Sequence, residues 1–423
     1  MTAGIEIKGW CPGARRPMPS GDGLIVRVRP HGGALSVAAL RELAAAARRF
    51  GNGEIDLTRR ANLQIRGVSP ETLAPLWDLM TSLGVLDDSA ELEAIRNIVI
   101  NPLAGLDPAE ISDMRPVAAA LEAQLASDDA LQALPAKFGF ALDGGGRLPL
   151  TDLAADIRLV ACGSADGRHI AVGLTGPNGV EWLGSTTIAV AAAVAAKLAR
   201  FVLQHSPTRR SATLPANASA IVAAELGLDA SEAIASGAAS PRLGLIPLAA
   251  DTKAVGLGIP FGRIGSEILE QLTGLLASLD VSEVRLSPWR ALYVAAKTGS
   301  AARLVADAAR LGLIVDDADP LMRIDACSGV GCCTSTMLAT REHARVLAAA
   351  MISTGFAGTL HVSGCAKGCA RSASAEVVLV GEGGHYNIVC NGTVKSETFG
   401  VIDPADLAAV SDGLFKSREK AHV

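Results

Sequence analysis

A chain of 423 residues is too long for one hydrophobic core, so two to four domains are expected. Its residues are 49% apolar and only 3% aromatic, and a formal net charge of -5 argues against general nucleic-acid binding. The first ten residues hold no apolar signal stretch, and the alanine-rich run 186–199 is closed by a lysine and fits an amphipathic helix, so no membrane span is expected.

From Gly9 to Gly23 the chain is dense in Gly, Pro and Ser, which suits an ordered loop and neither helix nor strand. It leads into Leu24 to Arg29, which alternates as a strand. Pro30-His31-Gly32-Gly33 breaks that strand, Ser36 can cap, and residues 37–50 carry apolar side chains at helical period. Strands at 54–57 and 63–66 follow, with Thr58-Arg59-Arg60-Ala61-Asn62 between them, then a helix over about 69–83. This strand–helix–strand–strand–helix order is half of a ferredoxin-like α+β layer.

The next segment carries Arg96-Asn97, a helix near 108–126, and Leu134-Pro135-Ala136-Lys137-Phe138-Gly139 ahead of Asp143 and three glycines. Strands around 156–161, 169–174 and 180–184 precede a long alanine-rich helix over 186–204. Residues 205–240 shift to Ala, Ser, Pro and Thr and read as a linker with one short helix.

The halves look like copies. An offset of 229 lays the strand from Glu54 on that from Glu283 and the helix 36–50 on 265–279. His169 and His385 open matching strands, and an offset of about 227 sets Lys137 near Cys365. A duplication of roughly 200 residues follows. Pseudo-two-fold symmetry should then turn the basic loops of the first half toward the cysteines of the second, around one shared site. The expected divisions are 1–84 and 241–318 as ferredoxin-like half-domains, 85–204 and 319–423 as larger α/β domains, and 205–240 between the halves.

Five of the eight cysteines fall in residues 327–369. Without a signal peptide, that bunching fits a reducing cytoplasm and no disulfide framework. Four thiolates are the usual holder of an iron–sulfur cube, and Cys327 with Cys333 (five residues between) and Cys365 with Cys369 (three between) can supply them. A helical turn at 365–369 would set both of its sulfurs on one side. Cys332 is the spare, and whether it replaces Cys333 turns on loop geometry. A four-cysteine zinc site is the competing metal reading, although knuckle spacing fails on the first side, and redox-sensing thiols are a third. Cys162 and Cys390, taken to lie on repeat-equivalent strands, are expected in the core, and Cys11 on the opening loop is a packed thiol or a site residue.

Facing such a centre the first half offers Arg27, Arg29, Arg59, Arg60, Arg66, Arg96 and Lys137. Arginine's planar fork grips carboxylates bidentately, so convergent basic residues suggest a polycarboxylate ligand. The bland alternative is that each strand arginine faces water.

These cysteine pairs, the duplicated half-domain, Thr58-Arg59-Arg60 through Gly67, Arg96-Asn97 and Leu134 to Phe138 resemble the nitrite and sulfite reductase superfamily. Within it, Cys11-Pro12-Gly13 and the run from Arg16 to Leu24 resemble the precorrin-3B synthases of aerobic cobalamin biosynthesis, over nearly the whole chain. The resemblance implies a duplicated reductase-like α+β architecture, two paired ferredoxin-like half-domains and two larger α/β domains around a central site. It implies a [4Fe-4S] cluster on Cys327, Cys333, Cys365 and Cys369, and Arg27, Arg60, Arg96 and Lys137 match positions that grip a macrocycle's carboxylates. Where the reductases carry a second lysine two residues after the first, this chain has Gly139, which removes a cation and clears space.

The implied reaction is an oxygen- and reductant-dependent hydroxylation of precorrin-3A at its C20 meso carbon with γ-lactone closure. It uses dioxygen, a non-haem iron and an electron donor, NADH or a reductase or ferredoxin. No iron-ligand spacing stands out among seven histidines, of which His361 and His31 are the best placed. The rival readings are a sirohaem-dependent sulfite or nitrite reductase and a non-catalytic iron–sulfur electron carrier.

Overall fold

The structure, a computed structural model, describes residues 10–164, 167–230 and 240–416. The first half opens with β1 (Met18–Ser20), β2 (Gly23–Val28), β3 (Ala34–Ser36), β4 (Glu54–Leu57) and β5 (Leu63–Val68), with helices Val37–Phe50 and Pro70–Ser82. Then come β6 (Ile98–Ile100), β7 (Phe140–Asp143), β8 (Ile157–Ser164), β9 (Gly167–Gly176) and β10 (Gly179–Thr186). The second half repeats this order as β11 (Gly244–Pro247), β12 (Thr252–Gly258), β13 (Arg263–Gly265), β14 (Glu283–Leu286) and β15 (Ala291–Lys297). It continues with β16 (Ile324–Ala326), β17 (Leu360–Ser363), β18 (Ala375–Glu382), β19 (His385–Gly392) and β20 (Gly400–Ile402).

The duplication is written into the pairing. In β6–β7–β8 the strands run parallel and β9 and β10 return antiparallel; β16–β17–β18, β19 and β20 do the same. The two ferredoxin-like sheets go further and exchange an edge. Strand β3 of the first half pairs with β14, and β13 of the second pairs with β4, giving the orders β1-β2-β5-β4-β13 and β11-β12-β15-β14-β3.

Each of these sheets turns an alternating apolar face to its helices. Val26, Val28, Ile55, Leu57, Leu63 and Ile65 are all buried, as are Leu40, Leu43 and Ala47 on the helix above them. Ser36 starts that helix by accepting Ala39 N–H at 3.0 Å. Helix Val37–Phe50 packs on its counterpart Ser266–Ser278, so one core runs through both lobes. The exchanged strands and this shared core fix the lobes against each other.

Several expectations need correction. The helix expected at 108–126 starts only at Arg115, because residues 104–113 are tied into turns around Asp107 and Glu110. Residues 205–230 do not behave as a spacer. Arg210 Nε and Ser211 N–H both bind Asp156, at 2.7 and 3.1 Å, and Ala218 and Val222 lie in the core with the alanine-rich helix Ala191–His205. Small side chains read as linker composition, yet they pack closely on a helix that is itself mostly alanine. Residues 231–239 of the expected linker lie outside the described residues.

The offset of about 227 between Lys137 and Cys365 also fails. Ile98 pairs with Phe140 as Ile324 pairs with Leu360, so Lys137 precedes its strand while Cys365 follows the matching one. Cys162 lies on β8 and Cys390 on β19, which are not counterparts, and Cys390 is exposed where a core position was expected.

Candidate functional site

Parallel strands β16 and β17 end side by side and release Cys327 and Gly364-Cys365 from their carboxyl ends, where open α/β sheets gather ligands. Gly364 N–H donates to Cys327 Sγ at 3.2 Å and Ser335 N–H to Cys333 Sγ at 3.4 Å. A side chain at 364 would strike Thr336 at 2.6 Å, so glycine is required where the backbone meets the sulfur. Burial pushes the Cys369 thiol up, Lys367 opposes, and Cys365, Cys327 and Cys333 push it up further as neighbouring charges. All four sulfurs therefore share one neighbourhood, with Cys369 exposed at its edge. Residues 365–369 form turns and no helix, with Gly368 left-handed at φ 63°.

Cys332 points elsewhere. Its Sγ accepts from Arg263 Nη1 at 3.1 Å, and its carbonyl accepts from Ser20 Oγ at 2.8 Å, Gly21 N–H at 3.3 Å and Arg66 Nη2 at 3.4 Å. A Cβ at Gly21 would come within 3.0 Å of Cys333 N, so glycine lets the first half touch this loop. Among the described residues no three of His, Cys, Asp and Glu meet around a single metal ion. A cube with irons at separate corners needs thiolates around a body and not around one ion.

The polar face of the first ferredoxin-like sheet leads from this loop to the basic residues. Register places Arg27, Gln64, Asp56 and Arg263 in one row across β2, β5, β4 and β13. At about 4.8 Å per strand the row spans roughly 14 Å. Asp56 accepts from Arg263 Nε at 2.7 Å and Nη2 at 2.9 Å, from Arg66 Nη1 at 3.1 Å, and faces Arg341 at 3.7 Å. Gln64, with its amide oxygen toward Arg27, accepts Nη2 at 2.8 Å and Nε at 3.2 Å. Sequence reasoning missed Asp56, Arg263 and Arg341. The alternation that buries Ile55 and Leu57 was the available signal for Asp56.

Arg27 is buried and its Nη1 has no partner. Burial above all, then Arg29, brings its pKa down to about 9, Cys11 and Glu93 opposing, so it stays charged at neutral pH. Cys11 therefore sits near Arg27, and near Arg60 as well. Arg60 donates to the carbonyls of Ala136 at 3.1 Å and Lys137 at 3.1 Å, which joins the two basic segments, and the Lys137 side chain is exposed. Arg96 is differently placed from a free cation. Its guanidinium binds Asp87 twice at 2.8 Å and the Arg29 carbonyl at 2.7 Å. Asn97 beside it accepts from Arg29 at 2.9 Å and donates to the carbonyls of Ala136 and Phe138. A Cβ at Gly139 would meet the Asn97 carbonyl oxygen at 3.7 Å and Ala155 Cα at 3.9 Å, ordinary contacts, so glycine is not forced there by a clash.

The two singled-out histidines differ. His31 is exposed and its Nδ1 lies 2.6 Å from Glu122. His361 is fully buried next to Asp325, both ring nitrogens lack partners, and burial above all lowers its pKa to about 4. The folded state prefers neutral imidazole, so stability present above the unfolded value of 6.5 declines as pH falls and the loss is complete near 4. His361→Leu is expected to flatten thermal stability across that window, as read by melts at stepped pH; an unchanged slope would show that His361 is not its source.

Residues 16–83 match the nitrite/sulfite reductase ferredoxin-like half domain, and residues 91–326 match the nitrite and sulphite reductase 4Fe-4S domain, a match that stops one residue before Cys327. The chain is 33% identical over 402 residues to a precorrin-3B synthase of Sinorhizobium sp, covering 92% of this chain and 84% of that protein. It is 32% identical over 130 residues to an assimilatory ferredoxin-dependent nitrite reductase of Haloferax mediterranei, 28% of this chain and 22% of that one. The NirA protein of Mycobacterium tuberculosis shares the fold, with a TM-score of 0.74 at 19% identity over 95% of this chain and 81% of that one.

Proposed function

This chain belongs to the precorrin-3B synthase family within the nitrite and sulphite reductases, and on that premise we propose that it hydroxylates precorrin-3A at the C20 meso carbon, with closure of a γ-lactone, using dioxygen and a reductant. It is an iron–sulfur protein of the 4Fe-4S kind. In this reading Cys327, Cys333, Cys365 and Cys369 hold the cluster, which when bound supplies electrons one at a time. The N–H donors at Gly364 and Ser335 would tune it.

The observation that carries the substrate reading is Arg27. A buried guanidinium with an unpartnered Nη1 is costly unless an anion completes it, and a polycarboxylate macrocycle brings that anion. Arg60 and Lys137 are assigned further carboxylates from the adjoining segment. Arg96 is a positioning residue, since through the Arg29 carbonyl and Asn97 it sets both the strand end and the 134–139 segment. Such orientation of a large substrate against a reacting centre is where binding contributes to rate. With glycine and no second lysine at 139, the segment lacks a cation that a small anion such as sulfite or nitrite would use.

The resemblance also implies a mononuclear non-haem iron. Its usual plan of two histidines and a carboxylate is not gathered among the described residues, so no ligand is assigned and no step is drawn through it. The donor is taken as NADH or a reductase or ferredoxin, entering at the exposed Cys369 edge. No described helix is long and apolar enough to cross a membrane, and free cysteines throughout support a reducing, cytoplasmic setting.

Arg60→Ala and Lys137→Ala should each weaken precorrin-3A binding about tenfold to a hundredfold, the worth of a charge-assisted hydrogen bond of about 1.5–3 kcal/mol, with the visible spectrum unchanged. Equilibrium binding under anaerobic conditions checks this. Wild-type affinity in both variants would favour the electron-carrier reading, and sirohaem bands in the purified protein would favour the reductase.

A further inference from the structure

A cavity of about 290 Å³ opens where the turn after β4 of the first half meets the turn between β14 and β15, β16 and the segment leading into β16. None of the four cysteines of the candidate site lines it. On its wall Asp325, 3% exposed, receives Arg59 Nη2 at 2.5 Å, Arg290 Nη2 at 2.8 Å and Arg371 Nη1 at 3.0 Å. Three guanidiniums on one carboxylate leave two positive charges unmatched. Arg323 and Arg242 also line the cavity, against Asp152 as the one further carboxylate. Arg323 Nε is buried without a partner, and Arg242 stacks over Trp289 at 4.3 Å, which supplies a flat wall. Arg290 and Arg371 are only 15% and 20% exposed, and positive charge in such excess around one cavity calls for an anion.

The place of this cavity in the fold is informative. Under the register that relates the halves, Arg290 stands where Ala61 stands, both left-handed at φ 56° and 53°, Arg323 where Asn97 stands, and Thr359 where Gly139 stands. It is the two-fold counterpart of the basic site around Arg60 and Lys137. The loop after β7, which answers to the one bearing Cys365, carries Asp143 and three glycines and no cysteine. The counterpart therefore has the cationic wall without the thiolates.

We propose that this cavity is a second ligand site, which takes a small dianionic oxyanion, a phosphate or a short dicarboxylate, on Arg59, Arg290 and Arg371. A charge of minus two balances the two positive charges left over around Asp325, and the volume lies at the lower end of the roughly 300–1,000 Å³ of small-molecule sites, too small for a tetrapyrrole. The anion would bridge the halves, since Arg59 comes from the first and Arg290 and Arg371 from the second.

Calorimetric titration of the cluster-loaded full chain with inorganic phosphate, and separately with succinate, tests the site. Arg59 is 55% exposed and Arg242 32% exposed, so Arg59→Gln and Arg242→Gln are expected to fold. Lys137→Gln serves as the control for the other basic site. The expected result is a saturable site for at least one of the two anions, weakened tenfold or more by Arg59→Gln, weakened by Arg242→Gln, and untouched by Lys137→Gln. Whichever anion binds in this way names the ligand class. Absence of saturable binding of either anion, or binding that responds to Lys137→Gln and to neither arginine variant, overturns the proposal.

Discussion

Cys333→Ser is expected to strip the protein of its cluster, while Cys332→Ser, one residue earlier, is expected to leave it in place. The two thiols are neighbours in sequence and have different partners in space. Cys333 joins Cys327 and Cys365 in raising the Cys369 thiol, and its sulfur receives the Ser335 N–H. Cys332 gives its sulfur to Arg263 and its carbonyl to Ser20, Gly21 and Arg66. Arg263 retains Asp56 if that sulfur is removed, so Cys332→Ser should cost little in stability. Iron and acid-labile sulfide counted after anaerobic purification decide the matter. Full iron and sulfide in Cys333→Ser together with loss in Cys332→Ser would reverse the ligand assignment.

The second large effect is expected at Asp56. Its carboxylate gathers Arg263, Arg66 and Arg341, and these hold the cysteine loop against the first half. Asp56→Ala leaves three guanidiniums together without their anion, a change of the kind that costs about 3–5 kcal/mol when one member of a buried pair is removed. The denaturation midpoint should fall accordingly, and amide exchange around Cys332 should quicken. Burial alone would raise the Asp56 pKa, but Arg263 first, then Arg341 and Arg66, bring it below its usual 3.8. The stability it contributes is thus present above about pH 4 and is lost as pH falls toward the lower folded value, so Asp56→Asn should unfold less steeply with acid than wild type. Equal acid profiles, with an unchanged midpoint in Asp56→Ala, would show that the row is not what joins the lobes.

Local patterns carried much of the fold. The helical period of residues 37–50 and the Ser36 cap were legible because both depend on near neighbours. The cysteine pairs stand out in the sequence because cluster chemistry constrains their spacing. What depends on distant partners was not. Strands β3 and β13 are three residues each and pair across the halves, so no periodicity announces them. Arg96 is held by Asp87, nine residues earlier, a pairing that no spacing in the sequence announces. The row Arg27–Gln64–Asp56–Arg263 has Gly256, Tyr293 and Arg285 as its counterpart on β12, β15 and β14. There Tyr293 is fully buried against Leu103 and Leu148, so the duplicated sheets use the same face for opposite purposes. Duplication could be read from the offset, but the divergence between a polar and an apolar face required the register.

The proposed site sets a cationic wall and four thiolates around one tetrapyrrole acid between the lobes. Anaerobically purified, cluster-loaded protein incubated with precorrin-3A, a reductant and isotopically labelled dioxygen tests this most directly, with the product weighed by mass spectrometry. One labelled oxygen atom in a lactone product is the predicted result. A product bearing only solvent oxygen, or recovery of unchanged precorrin-3A by protein whose iron and sulfide are complete, would contradict it.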